Sequence, residues 1–224
     1  MCCRYVIAVT AKRLSEKFNA ALKESLFTQT YNAAPGQNLP VITQEEPDKI
    51  QLFKWGLLPH WAKDEKIANK LLNARAETIL EKPSFKNSFK HARCLVPATG
   101  FYEWQAPKSK KDPYKTPFHI HLKNNDIFAF AGLYSIWHKD KKDETATFNI
   151  ITTKPNSLVE KIHNRMPVIL KKEDYAKWLN PNIPPEEAHD LLKPLNARAL
   201  QAHEVSRKVN SPKNNTPDLI EALT

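Results

Sequence analysis

The alternation of apolar and polar positions divides this chain into many short elements. Between residues 11 and 27, Leu14, Phe18, Ala21, Leu22 and Leu26 recur at helical spacing, which predicts one amphipathic helix. Tyr31-Asn32-Ala33-Ala34-Pro35-Gly36 reads as a turn, its Pro-Gly pair fixing the chain direction. β-prone runs follow at 39–43 and 50–57, the second leading into Trp55-Gly56-Leu57-Leu58-Pro59-His60-Trp61. A charged stretch over 62–70 precedes Asn73-Ala74-Arg75-Ala76-Glu77-Thr78.

In the second half, Arg93-Cys94-Leu95-Val96-Pro97 is β-prone and runs into Gly100-Phe101-Tyr102-Glu103-Trp104. Residues 106–116 form a lysine-rich loop, expected to be solvated and mobile. Phe118, Ile120 and Leu122 alternate as a half-buried strand does, and further strands are expected over 126–134 and 146–152, around a charged turn at 138–144. A helix over 155–162 is predicted to deliver His163-Asn164-Arg165-Met166-Pro167, with Val168-Ile169-Leu170 as the next strand. Helical turns at 173–179 and 185–192 precede a last strand near 200–209 and a polar tail. This order predicts an α+β fold on a curved, mainly antiparallel sheet, with no linker long enough to divide domains.

Bulk properties narrow the picture. A chain of 224 residues suits one large domain, and 21 aromatic residues (five Trp, six Tyr, ten Phe) can supply a substantial core. No apolar run approaches the roughly 20 residues that span a bilayer, and no apolar segment follows the N-terminus, so a cytosolic or nucleoid location is expected. Three cysteines show neither disulfide-framework nor zinc-ligand spacing, so no metal is expected; His119 and His121, alternating on a strand, point to one only weakly. The net charge of +10 fits a polyanionic partner or simply a lysine-rich surface. With only four glycines, each is expected where the backbone requires it.

The candidate chemistry starts at the N-terminus. Removal of Met1 ahead of the small Cys2 leaves an α-amine and a thiol two carbons apart. The amine, with a pKa near ~7.7–8.0, is far richer in its neutral form at pH 7 than a lysine near ~10.4, and a thiol near ~8.5 is partly ionised. Such a pair forms a Schiff base with an aldehyde and then closes a thiazolidine ring; the alternative is an ordinary terminus. Glu103 among aromatic rings reads either as a desolvated general acid or as a surface carboxylate on an edge strand. His163 at an element boundary suits proton transfer or a structural hydrogen bond. Asn73 and Arg75 could orient a nucleophile and hold a phosphate, or be a turn residue and an ion pair with Glu77. Trp55, Trp61 and Trp104 beside basic residues could stack nucleobases or pack in the core.

Taken together, MCxRY, YNAAPG, WGLLPHW, NARAET, RCLVPATGFYEW, FAGLY, ITT and IHNRMPVIL resemble, in order and spacing, the SOS response-associated peptidase (SRAP) family of abasic-site processing proteins. The match runs from Cys2 to about Leu170, with a weaker echo at Val205-Ser206 to Val209-Asn210, so residues 2–224 are expected to be one SRAP domain with a C-terminal extension packed on it. The resemblance implies a barrel-like β core with flanking helices, a monomer without cofactors, and single-stranded DNA containing abasic sites as partner. It implies that Cys2 is the nucleophile that cross-links to the ring-opened sugar, that Asn73 orients it, and that Glu103 and His163 move protons. Arg4 and Arg75 would contact phosphates, and Pro35, Trp61, Trp104 and Thr152 would line the DNA site. Cys3 stands where the family usually has glycine. The family's name points to a second reading, a thiol peptidase using Cys2, His163 and Asn73; a third is a non-catalytic single-strand binding module.

Overall fold

The computed structural model describes residues 3–107, 113–138 and 141–223. In the first half, β1 (Tyr5–Ile7) is followed by α1 (Ala11–Phe18), β2 (Thr30–Ala33), β3 (Asn38–Thr43), β4 (Gln51–Trp55) and β5 (Asn73–Arg75). Next come α2 (Pro83–His91), β6 (Arg93–Ala98), β7 (Gly100–Gln105), β8 (Thr116–Leu122), β9 (Phe128–Trp137) and β10 (Thr145–Thr153). The remainder holds β11 (Met166–Pro167), β12 (Ile169–Leu170), α3 (Tyr175–Leu179), α4 (Pro185–Asp190) and β13 (Leu200–Glu204).

Two sheets share the core. In one, the order β10-β4-β3-β6-β9 closes on itself because β9 also pairs with β10, making a small barrel. β11 and β5 extend it at β10, and β12 at β9. The other sheet runs β13-β8-β7-β1-β2. Among the described residues, all pairings between these strands are antiparallel except β10 with β4 and with β5, which agrees with the expected α+β, mainly antiparallel fold. Val96, Phe130, Phe148 and Ile150 are fully buried in the barrel, as closure demands of inward positions. The chain crosses between sheets from β6 to β7 through Thr99 and Gly100, where a Cβ would lie 2.2 Å from the His119 ring. Gly56, at φ 130°, likewise holds a backbone that other residues resist.

Several expected elements change. The helix over 11–27 ends at Phe18, because Asn19 takes a left-handed conformation (φ 49°) as its cap. Beyond it Ala21 forms a β-bridge to Lys49, and Leu26 is exposed. The turn 31–36 begins as strand β2. The helix over 155–162 is only a short 3₁₀ turn, Val159–Lys161, since the Asn156 side chain accepts from the Leu158 and Val159 amides and offers the backbone an alternative. The last strand stops at Glu204, and a 3₁₀ turn, Arg207–Asn210, follows. Of the loop 106–116, residues 108–112 lie outside the described residues, as do 139 and 140 of the charged turn.

The C-terminal segment is clamped to β2. The Asn32 side chain, 1% exposed, donates to the carbonyls of Val209 (3.2 Å), Ser211 (3.0 Å) and Asn214 (2.9 Å). Its Oδ1 accepts from Arg4 Nη1 at 2.9 Å. Tyr102 Oη adds a bond to the Leu219 carbonyl at 3.3 Å. Asn32→Ala is expected to cost about 2–3 kcal/mol, lowering the melting temperature by roughly 5–10 °C. Limited proteolysis should then cut within 205–223 at protease concentrations that spare the parent; an unchanged melt and digest would show that the tail is held by other contacts.

Candidate functional site

The strand alternation of β7 decides which side chains meet. Tyr102 and Glu103 point to opposite faces; Tyr102 packs under the C-terminal segment, and Glu103 faces the loop that leads into β11. There Glu103 Oε2 lies 3.6 Å from His163 Nδ1, while its Oε1 is buried without a hydrogen-bond partner. Burial raises the Glu103 pKa to about 7, opposed by the Trp104 amide and the charge of Lys115. Burial also lowers the His163 pKa, against the pull of the Arg165 backbone. A full ion pair would move the acid down and the base up. Both move the opposite way, so desolvation wins and favours the neutral pair, a carboxylic acid beside an imidazole, over two charges.

His163 is fixed by its own loop. Its Nδ1 is 3.2 Å from both the amide nitrogen and the carbonyl oxygen of Arg165. The Arg165 guanidinium forms a bidentate pair with Glu77 (2.6 and 2.9 Å) and donates to the Thr152 carbonyl at 2.7 Å. That pair holds the Glu77 carboxyl below its usual range. Glu77 therefore binds Arg165, not Arg75 as the sequence alternative had it. The pair staples the NARAET segment to the HNRMP segment, two motifs 88 positions apart.

Glu103 and His163 share a cleft of about 380 Å³ with Cys3, Arg4, Trp104, Lys115 and Asn210. Burial, then the charge of Glu103, raises the Cys3 thiol pKa, so this second cysteine is held in the less reactive thiol form. Arg4 is braced: besides Asn32 it donates to the Val209 carbonyl (2.7 Å) and the Asn210 carbonyl (3.1 Å). Trp104 is half-buried and its Nε1 donates to Asn210 Oδ1 at 2.8 Å. Lys115, in the loop before β8, was not singled out from sequence, and Asn210 figured there only in the weak C-terminal echo; their places in the fold bring them here. Cys2 lies outside the described residues, one peptide bond from Cys3.

The other expected site residues are more dispersed. Asn73 and Arg75 lie on β5 opposite Ile150 and Thr152 of β10, with Arg75 exposed. Thr152 is fully buried, its hydroxyl donating to the Ala74 carbonyl at 3.2 Å, so it supports β5 and Arg165 and its side chain does not line an open surface. Pro35 is half-buried before Gly36 at the end of β2. Trp61 is 47% exposed in its own apolar hollow with Ala62, Lys63 and Ile67. Trp55, by contrast, is core: it is 1% exposed, and its Nε1 donates to the Leu72 carbonyl. Three histidines, His119, His121 and His203, form a separate cluster able to hold a metal. No helix among the described residues is long and apolar enough to cross a membrane.

Comparison with known proteins gives concordant matches. The profile of the family "SOS response associated peptidase (SRAP)" matches residues 1–212. The chain is 46% identical to the abasic site processing protein YoqW of Bacillus subtilis, over 99% of this chain and 100% of that protein. It is 32% identical to the abasic site processing protein HMCES of Xenopus tropicalis, covering 88% of this chain and 67% of that protein. A crystal structure of a protein from Bacteroides thetaiotaomicron superposes with a TM-score of 0.88 at 33% identity, covering 100% of both chains.

Proposed function

The chain belongs to the SOS response-associated peptidase (SRAP) family, and on that premise we propose that it processes abasic sites by attaching itself covalently to them in single-stranded DNA. The observation that supports this reading is the Glu103–His163 pair in one cleft with Cys3, because an acid whose pKa is raised to about 7 then shares a cleft with the residue that follows Cys2 in sequence.

After loss of Met1, the Cys2 amine adds to C1′ of the ring-opened sugar. Glu103, protonated in about half the molecules at neutral pH, donates to the departing oxygen, and one water leaves as the Schiff base forms. His163 accepts the first proton the amine sheds and relays it to the same oxygen, so that oxygen leaves as water, and the second amine proton returns to Glu103. The Cys2 sulfur then bonds to C1′, its proton passes to the nitrogen, and the thiazolidine closes. Closure makes the product persistent where the Schiff base alone would hydrolyse. Arg4 and Lys115 at the cleft, with exposed Arg75, supply positive charge for the DNA backbone, and exposed Trp61 offers a stacking face.

The test is intact mass after incubation with a single strand bearing one abasic site, compared with the same strand undamaged. The expected species is the protein without Met1 plus the damaged strand, less one water, stable to heating. Equal yields from the two strands, or no covalent species, would overturn the reading.

A further inference from the structure

On the face of the second sheet opposite Glu103, β8 and β13 bring three imidazoles together. His119 and His121 are two positions apart on β8 and share a face; His203 on β13 is the direct antiparallel partner of His119. The ring centroids are 4.8 Å apart for His119 and His121, 5.3 Å for His119 and His203, and 5.5 Å for His121 and His203. One nitrogen from each lies within 4.8 Å of the others. They border a cavity of about 300 Å³ that Thr99 and Arg13 also line.

The hydrogen bonds leave each ring ready to ligate. His203 Nε2 is 2.9 Å from the Ile220 carbonyl, which can only accept, so the proton sits on Nε2 and Nδ1 keeps its lone pair. His121 Nδ1 is 3.0 Å from the Leu122 carbonyl, which by the same logic leaves Nε2 as donor of electrons; at present it accepts from Gln201 Nε2 at 3.1 Å. This carbonyl-to-imidazole arrangement is what orients metal-bound histidines. His119 is 5% exposed, and both its ring nitrogens are buried without any partner. A buried imidazole with two unused nitrogens, pressed so close to Gly100 that a Cβ there would collide with it, is costly unless a ligand compensates it.

We propose that His119, His121 and His203 bind a late first-row divalent cation, with Zn²⁺ as the representative, and leave its fourth position open to the cavity. Three imidazole ligands suit this class and not Mg²⁺ or Ca²⁺, which take oxygen ligands. Zn–N bonds of about 2.0–2.1 Å in a tetrahedron place the nitrogens about 3.4 Å apart, so the rings must swing inward from their present spacing. Among the described residues no carboxylate lines the cavity; Arg13 at its edge would retain an anion or hydroxide at the open position. The cation would tie β8 to β13 and, through Ile220, to the C-terminal segment. The site does not depend on the cross-linking chemistry on the other face.

The experiment uses EDTA-treated protein whose thiols are blocked with iodoacetamide, so that Cys2 and Cys3 cannot bind the metal, titrated with Co²⁺ and with Zn²⁺. One equivalent of Co²⁺ should give the visible absorption of a four-coordinate site, and Zn²⁺ should raise the melting temperature. Zn²⁺ should also shift the imidazole nitrogen resonances of three histidines in the unmutated protein, a readout that needs no variant. His203→Gln, at a half-buried position, should weaken binding at least about 100-fold, while exposed His60→Gln should not. Absence of Co²⁺ absorption and of any histidine shift would overturn the proposal, as would binding undiminished in His203→Gln.

Discussion

Arg93→Met is expected to melt about 6–12 °C below the parent, a larger loss than removal of the Asn32 clamp causes. The Arg93 guanidinium is fully buried, and every acceptor it uses is a main-chain carbonyl. Nη1 donates to Phe89 (2.7 Å) and Lys90 (3.0 Å) in the last turn of α2. Nε donates to Trp178 (2.8 Å) in α3, and Nη2 to Asn180 (2.7 Å) just beyond it. These helix ends have carbonyls without intrahelical donors, and their dipoles favour a cation. The guanidinium also lies 5.6 Å from the centroid of the Trp178 ring. Methionine fills similar volume but orphans four carbonyls. At 1–3 kcal/mol for each buried unsatisfied group, less what relaxation recovers, about 3 kcal/mol is lost, and a chain of this size drops about 2–4 °C per kcal/mol. Lysine keeps the charge but reaches fewer of the carbonyls from one nitrogen, so Arg93→Lys should recover less than half of the loss. A thermal melt followed by circular dichroism decides; an Arg93→Met melt within about 2 °C of the parent would mean that water replaces the guanidinium at little cost.

Arg93 also illustrates what the sequence conceals. Its helix partner α2 was missed because its apolar signal is a single i,i+4 pair, Phe85 and Phe89, among lysines, serine and asparagine. Pro83 at the helix start was the available clue. The strands were legible because their alternation is local: Phe118, Ile120 and Leu122 lie on β8, and Arg93–Pro97 lies on β6. Glu103 was legible for the same reason, since three aromatic neighbours on one strand (Phe101, Tyr102 and Trp104) predict desolvation. The His163 site was legible as a motif but not as a helix end, because Asn156 turns the chain with its own side chain. What local pattern could not supply was pairing between distant segments. Nothing near His119 announces His203, and nothing near Glu77 announces Arg165; strand register brings these groups together. The tryptophans divide likewise by position in the fold, with Trp55 inside the barrel and Trp61 outside it.

Glu103→Gln is expected to slow cross-link formation by about 100-fold or more at pH 7, the usual scale for losing a positioned general acid. The amide keeps the shape and cannot give up a proton in the same way. The pH dependence separates this role from mere packing. In the parent, the acid must be protonated, and its pKa is about 7; the amine must be neutral, and its pKa is near ~7.7–8.0. The rate should therefore trace a bell with its top near pH ~7.5, and the Glu103→Gln rate should lose the alkaline limb and rise to a plateau. Stability moves in the opposite sense. Because folding raises the Glu103 pKa from an ordinary 4.5 to about 7, its contribution is fully present below pH 4.5 and is lost as pH climbs through 7. That difference is about 3 kcal/mol, so Glu103→Gln should be more stable than the parent at pH 8 and lose that advantage by pH 4.5. Cys2→Ser fails differently. It retains the amine, so a Schiff base still forms and borohydride traps it, but no heat-stable product accumulates without reductant. A Glu103→Gln profile that keeps its bell at uniformly lower rate would assign the carboxyl a structural role, and a heat-stable Cys2→Ser product in parental yield would remove the thiazolidine from the mechanism.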